Sequence, residues 1–140
     1  MSSYGLEVIG REECDGLLGS QRVGRVGVCG ARPGVFPVLY RLLDGDVVFR
    51  TAPGEKLIAA ALERDVIFEI DSFSIAECTG WSVNVLGAAA EIVDPAELGT
   101  AQTLDLPPWA GDARDRYVRI RAREVSGRRI VSTASGANRT

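Results

Sequence analysis

The sequence predicts a mainly β protein, an antiparallel barrel closed or nearly closed, with two or three short helices. Three observations carry this. About six or seven segments read as strands, most are joined by hairpin-like connections, and a single good crossover helix separates strands, which disfavours a parallel βαβ sheet. At 140 residues with 46% hydrophobic and 25% charged side chains, the chain has the size and composition of one globular domain, spanning residues 1–140. A domain this small buries roughly 70% of its unfolded surface, which leaves little chain to wall off a deep private pocket. A dimer interface would supply the missing wall.

Element by element, Gly10 to Ser20 reads as a helix, with Cys14, Leu17 and Leu18 at helical spacing and Gly19-Ser20 ending it. Val23–Val28 alternates loosely, and GVFPVLYRLL over 34–43 is rich in β-formers. Pro37 inside that second strand marks an edge or a bulge, because proline brings no N–H to a ladder. Asp44-Gly45 is a hairpin turn into Asp46–Arg50, the strongest such signal in the chain. Pro53-Gly54 breaks that strand, and Lys56–Leu62 puts apolar residues on one face of a short helix. Val66–Ile70 is the next strand, followed by a polar, turn-rich loop over 71–80. Trp81–Val93 is long enough to bend, with Gly87 as the kink. Asp94-Pro95 opens another short helix. LPPWAG over 106–111 cannot be regular structure. Tyr117–Arg123 alternates strictly, with Val118, Ile120 and Ala122 on one face and Arg119, Arg121 and Arg123 on the other. That arginine row reads either as an anion-binding face or, more simply, as a solvated sheet face. The small polar residues 132–140 are expected to form a disordered tail.

Composition excludes several chemistries. The formal charge is −3 and the pI about 5, so nucleic acid is not an expected partner. No apolar run reaches membrane-spanning length and the N-terminus lacks a signal-peptide pattern, which points to the cytoplasm with no membrane partner. Cys14, Cys29 and Cys78 are odd in number and far apart, suiting neither a disulfide framework nor a zinc knuckle; they are expected to be reduced and mostly buried, with no metal site. There is no histidine, which removes the usual general base and every Ser/Cys-His arrangement. Any reaction would then fall to a bound organic cofactor that the protein orients. Fifteen of the sixteen basic residues are arginine, and Lys56 is the only lysine.

The segment Arg50-Thr51-Ala52-Pro53-Gly54-Glu55-Lys56 is the candidate site. A strand breaking into a helix N-terminus leaves N–H groups free and carries partial positive charge, which suits an anion. Arg50 offers a planar fork, Thr51 a hydroxyl and Lys56 a point charge. A cation in the first turn opposes the macrodipole, which favours an anion there. The plainer alternative is that Thr51 caps the helix while Arg50 and Lys56 are solvated.

In order along the chain, GVFPVLY, DGDVVFRTAPGEKL, TGWSVNVLGAAAEIVDP and PPWAGDARDRYVRI resemble the FMN-binding split-barrel proteins related to pyridoxamine 5′-phosphate oxidase, especially their short actinobacterial branch. The resemblance runs from about Cys14 to Ile130. It implies a six-stranded antiparallel split β-barrel of Greek-key type, two copies of which form a homodimer with two cofactors at the interface. The cofactor implied is FMN, or a deazaflavin coenzyme in a close variant. By resemblance, the backbone of Pro37, Val38, Leu39 and Tyr40 runs beside the flavin ring. Arg50 and Thr51 contact the ribityl-phosphate, Lys56 binds phosphate with Leu57 next to it in the cofactor-binding set, Ser82 approaches the ring or tail, and Trp109 reaches across the interface to cover the flavin.

Trp81, opening a strand, reads first as core or barrel-lid packing, although stacking on a flavin would bury it equally well. The chain lacks the C-terminal arginine–histidine signature that holds substrate in true pyridoxamine phosphate oxidases, so that activity is not expected. The leading reading is a flavin-dependent oxidoreductase passing hydride or electrons to a small organic substrate. Beside it stand a non-catalytic flavin-binding or sensing protein and a barrel-type interaction module without cofactor.

Overall fold

The computed structural model describes residues 4–108 and 115–132. Seven strands and three helices follow one another as β1 (Tyr4–Ile9), α1 (Arg11–Ser20), β2 (Val23–Val28), β3 (Gly34–Leu43), β4 (Asp46–Thr51), α2 (Lys56–Ala61), β5 (Arg64–Ser74), β6 (Thr79–Glu91), α3 (Pro95–Gln102) and β7 (Arg116–Ser132). All strand pairs are antiparallel, in the order β1-β7-β4-β3-β2-β5-β6, and β6 pairs back onto β7. Six strands therefore close a barrel, and β1 is appended to the outside of β7. Closure pairs most of the strand edges that an open sheet of this length would expose.

The Asp44-Gly45 turn forms as the sequence indicates. Both residues have positive φ, +50° and +83°, the backbone that a two-residue turn between right-twisting strands requires. Gly87 is likewise the bend in β6. The β6–β7 register shifts between Leu86 and Gly87, and a Cβ on Gly87 would lie 1.9 Å from the Arg121 carbonyl oxygen. Only glycine lets the two backbones approach that closely.

Three expectations need correction. The span 71–80 is mostly strand: β5 and β6 pair without interruption from Arg64↔Ala89 to Ser74↔Thr79, leaving a four-residue tip. Ser and Asp are poor strand formers in isolation, but continuous pairing with a neighbour overrides that weak preference. β7 continues nine residues past Arg123, because β1 and β6 pair with it on either side. The sequence pattern assigns nothing to β1 itself, whose side chains are mostly exposed and show no clean alternation.

Inside the barrel, Val26, Val38, Tyr40, Phe49, Phe68, Val83, Val85 and Ile120 form the core, with Tyr40 and Phe68 edge-to-face at 4.7 Å between centroids. Helix α1 covers one barrel end through Cys14 and Leu18. The buried Tyr40 hydroxyl donates to the Leu18 carbonyl at 2.5 Å, satisfying an acceptor that the end of a helix leaves open. Burial pushes that phenol up to about 12. A second cluster, Val48, Ile92, Ala101, Leu106 and Tyr117, seats α3 against β4 and β7.

The arginine row of β7 is committed to carboxylates. Arg119 donates to Asp46 at 2.8 Å, Arg121 to Glu97 at 3.2 Å and Arg123 to Asp65 at 2.7 Å. It is an ion-paired sheet face rather than an anion site. Trp81 is half-buried against the core, an arrangement that both of its readings share.

Candidate functional site

The barrel is split between β3 and β4. They pair only from Tyr40↔Phe49 to Leu43↔Asp46, after which β4 follows β7 to Thr51 while β3 stays with β2. Residues 34–39 therefore turn one backbone edge toward the gap, and Pro37 lies in that single-partnered half, as a proline must. Helix α2 closes the gap from below. Gly54, at φ +81°, makes the turn between β4 and the helix possible. The helix is capped by Glu55, whose carboxylate accepts from the Leu57 N–H at 3.3 Å, so Thr51 is not the cap.

The resulting cleft has a volume of ≈ 270 Å³ and is lined mainly by Phe36, Pro37, Val38, Leu57 and Ile58, with Arg50, Thr51 and Glu55 supplying its polar end. Arg50 is held from several sides. Its guanidinium donates to the Leu106 carbonyl at 3.0 Å, pairs with Asp115 at 3.1 Å and lies 5.1 Å above the ring of Tyr117, its cross-strand neighbour. The Asp115 side chain is wholly buried and that of Arg50 is 16% exposed. A charge held this way is preorganised, and its rim remains in the cleft. Thr51 is buried at 4% exposure, its hydroxyl turned to the Ala52 carbonyl.

Pro37, Val38, Arg50, Thr51 and Leu57 thus come together on one cleft. Lys56 does not line it. Its side chain is exposed on the first turn of α2. The Leu39 side chain points outward at 44% exposure, and that of Tyr40 points into the core. Ser82 lies on β6 and lines a different cavity with Asn84, Ser126 and Arg128. Trp109 lies outside the described residues. The sequence reading did not single out Asp115 or Phe36, and it included Glu55 in the candidate segment without its capping role. Asp115 stands 65 positions from Arg50 with no local signal, whereas the acid preceding Lys56 at the helix start was a readable cap.

The cysteine expectation is corrected in part. All three are free, but Cys29 and Cys78 are exposed and only Cys14 is buried. Burial pushes the Cys14 thiol up, reinforced by Asp15 and Glu13, as for a structural rather than reactive cysteine. Among the described residues no group of three or more His, Cys, Asp or Glu side chains could hold a metal ion, and no helix is long and apolar enough to cross a membrane.

The cleft is thus an apolar slot whose polar end holds the Arg50–Asp115 pair, the Thr51 hydroxyl and the Glu55 carboxylate, the pattern of a mainly apolar pocket with a few placed polar groups. Several known proteins are similar to this chain. A Mycobacterium tuberculosis protein, Rv0080, is 38% identical over 128 residues, covering 87% of this chain and 84% of its own. Among solved structures, the FAD-binding protein from Mycobacterium smegmatis superposes with a TM-score of 0.76 at 35% identity, over 88% of this chain and 98% of that one. The conserved protein DIP1874 from Corynebacterium diphtheriae gives 0.77 at 38% identity, over 88% and 96%. Residues 10–129 match the family model described as pyridoxamine 5′-phosphate oxidase, and with nearly the whole barrel inside that match, the chain belongs to this family.

Proposed function

We propose that this protein binds a flavin, FMN in the first instance, in the cleft between β3 and β4, and serves as a dimeric oxidoreductase on a small organic substrate. The observation that carries the reading is the split itself. A single-partnered strand edge with an apolar lining faces an anchored arginine across ≈ 270 Å³, in a chain 35% identical to a protein described as FAD-binding. The residues fit the group: Phe36, Pro37, Val38 and Leu57 suit the ring, the free edge of β3 suits the ring's polar atoms, and Arg50 and Thr51 suit a phosphate. When bound, the flavin supplies the hydride or electron chemistry that a chain without histidine cannot. The protein's share is to orient it and keep water from one face.

The cleft of one protomer is smaller than the roughly 300–1,000 Å³ usual for a cofactor-sized ligand, which favours a second copy completing it. Val35 and Leu39, on the outer face of the same strand as Pro37, are 69% and 44% exposed, and Val23, paired with Leu39, is 52% exposed. Such an apolar margin beside a half-built cleft suits burial against a partner. In that arrangement Trp109 would reach the cofactor from the partner copy, as the family resemblance implies.

Fluorescence-quenching titration with FMN tests the reading, using the wild type and Thr51→Val. Saturable quenching at one flavin per chain, weakened about tenfold by loss of a hydroxyl bonded to phosphate, is expected. Absence of quenching by FMN, FAD and a deazaflavin alike would refute it.

A further inference from the structure

Helix α2 has a cavity on each side. Leu57 and Ile58 face the flavin cleft, while Ala59, Ala60 and Leu62 face a second cavity of ≈ 450 Å³, whose other wall is Cys29 and Arg32 of the β2–β3 loop and Arg64 at the start of β5. Ten arginines among the described residues hold a carboxylate, namely those at 11, 22, 25, 41, 50, 116, 119, 121, 123 and 129. Arg32 and Arg64 make no ion pair among the described residues, and Asp65, next in sequence to Arg64, is taken by Arg123. In a chain with more acidic than basic residues, two guanidinium groups share one cavity with no carboxylate between them.

The local backbone supports this arrangement. Gly30 has φ +116°, and a Cβ there would come within 3.2 Å of the Arg64 Nη1, so the guanidinium rests close against the loop. Ala59 and Ala60 leave the helix side of the cavity low. Both arginines are exposed and line the same cavity, where an anion could accept fork-type hydrogen bonds from either guanidinium.

We propose that Arg32 and Arg64 form a second anion site, which takes a phosphate-bearing group across α2 from the flavin cleft. Two sources share that chemistry: the distal phosphate of a dinucleotide flavin whose ring occupies the first cleft, or a separate phosphorylated ligand. The site stands on its own two arginines, and only the first source rests on the flavin reading.

Inorganic pyrophosphate titrated calorimetrically into the wild-type protein and into Arg32→Ala/Arg64→Ala tests the site without any flavin. Binding weakened at least tenfold in the double variant is expected, with Arg11→Ala/Arg22→Ala, which removes the same charge from exposed, paired arginines, binding as the wild type does. Equal affinity in the wild type and the Arg32/Arg64 variant, or no binding to either, would overturn the proposal. A second readout is alkylation of the exposed Cys29, followed by mass spectrometry with the exposed Cys78 as internal reference. Pyrophosphate should slow Cys29 selectively, and equal effects on both thiols would count against the site. FAD and FMN titrations then separate the sources. A dinucleotide source predicts that FAD binds more tightly than FMN and loses that margin in the double variant; a separate ligand predicts equal flavin affinities in both proteins, with pyrophosphate still binding to the flavin-saturated wild type.

Discussion

Neutralising Asp115 tests how the cleft's cation is held. Asp115→Asn preserves shape but leaves the Arg50 guanidinium facing a side chain with no charge, in a place where the aspartate is fully buried and the arginine 16% exposed. Breaking a buried pair from one side costs about 3–5 kcal/mol, mostly for the stranded charge. Arg50 keeps the Leu106 carbonyl and the Tyr117 ring and some contact with water, so the loss belongs at the lower end, about 3 kcal/mol. For a domain of this size that corresponds to a fall in Tm of roughly 10 °C. Urea denaturation gives the free energy, and Arg50→Met combined with Asp115→Asn closes a double-mutant cycle in which the two losses should fall short of additive by about 2 kcal/mol. A loss below about 1 kcal/mol, the value of a solvent-exposed pair, would refute the view that Arg50 is an anchored charge.

Other consequences are as direct. Gly87→Ala forces a methyl group onto the Arg121 carbonyl and should cost about 3 kcal/mol or prevent soluble expression, whereas the same change at the exposed, uncrowded Gly99 inside α3 should be neutral or stabilise by up to about 1 kcal/mol; similar outcomes at both sites would contradict the close approach of β6 and β7 at Gly87. Tyr40→Phe strands the Leu18 carbonyl beneath α1 and should lower stability by about 1–2 kcal/mol in chemical denaturation. Glu69 is pushed up to about 6, chiefly by burial and then by its neighbour Asp71, against the pull of Arg25. Its folded value lies above its unfolded one, so the folded state binds the extra proton, and stability should fall as pH rises from about 4.5 to 6 and stay lower above that. Glu69→Gln, which leaves the Arg25–Asp71 pair in place, should remove that slope and gain on the order of 1 kcal/mol at pH 8 once solvent screening is allowed for. An unchanged slope would show that Glu69 is not its source. For the proposed dimer, Leu39→Glu on the exposed margin of β3 should give monomers in sedimentation and weaken flavin binding with it; a wild type that itself sediments as a monomer would refute the dimer.

Much of this fold was legible because its signals are local. The Asp44-Gly45 turn, the Gly87 bend, the α1 face of Cys14 and Leu18, and the alternation from Tyr117 onward all follow from short-range steric and periodic rules. What was missed depends on distant pairing. β1 exists because β7 offers it an edge, and residues 71–74 and 79–80 are strand because each ladder holds the other. The site shows the same division. Arg50 and Thr51 stood out through their place before a helix, and both line the cleft. The partners that fix Arg50, Leu106 and Asp115, come from beyond β6 and leave no mark near it in sequence. Lys56, the only lysine, was a weak compositional clue; its side chain is exposed and is not among the residues that line the cleft.

A flavin held in the split between β3 and β4 would colour the protein. The visible absorption spectrum of the protein as purified, followed by denaturation and chromatographic identification of whatever is released, tests it most directly. The expected result is a two-banded flavin spectrum with up to one flavin released per chain, or, if the cofactor is lost during purification, its restoration on adding FMN or FAD. A protein that is colourless and stays so with either flavin would contradict it.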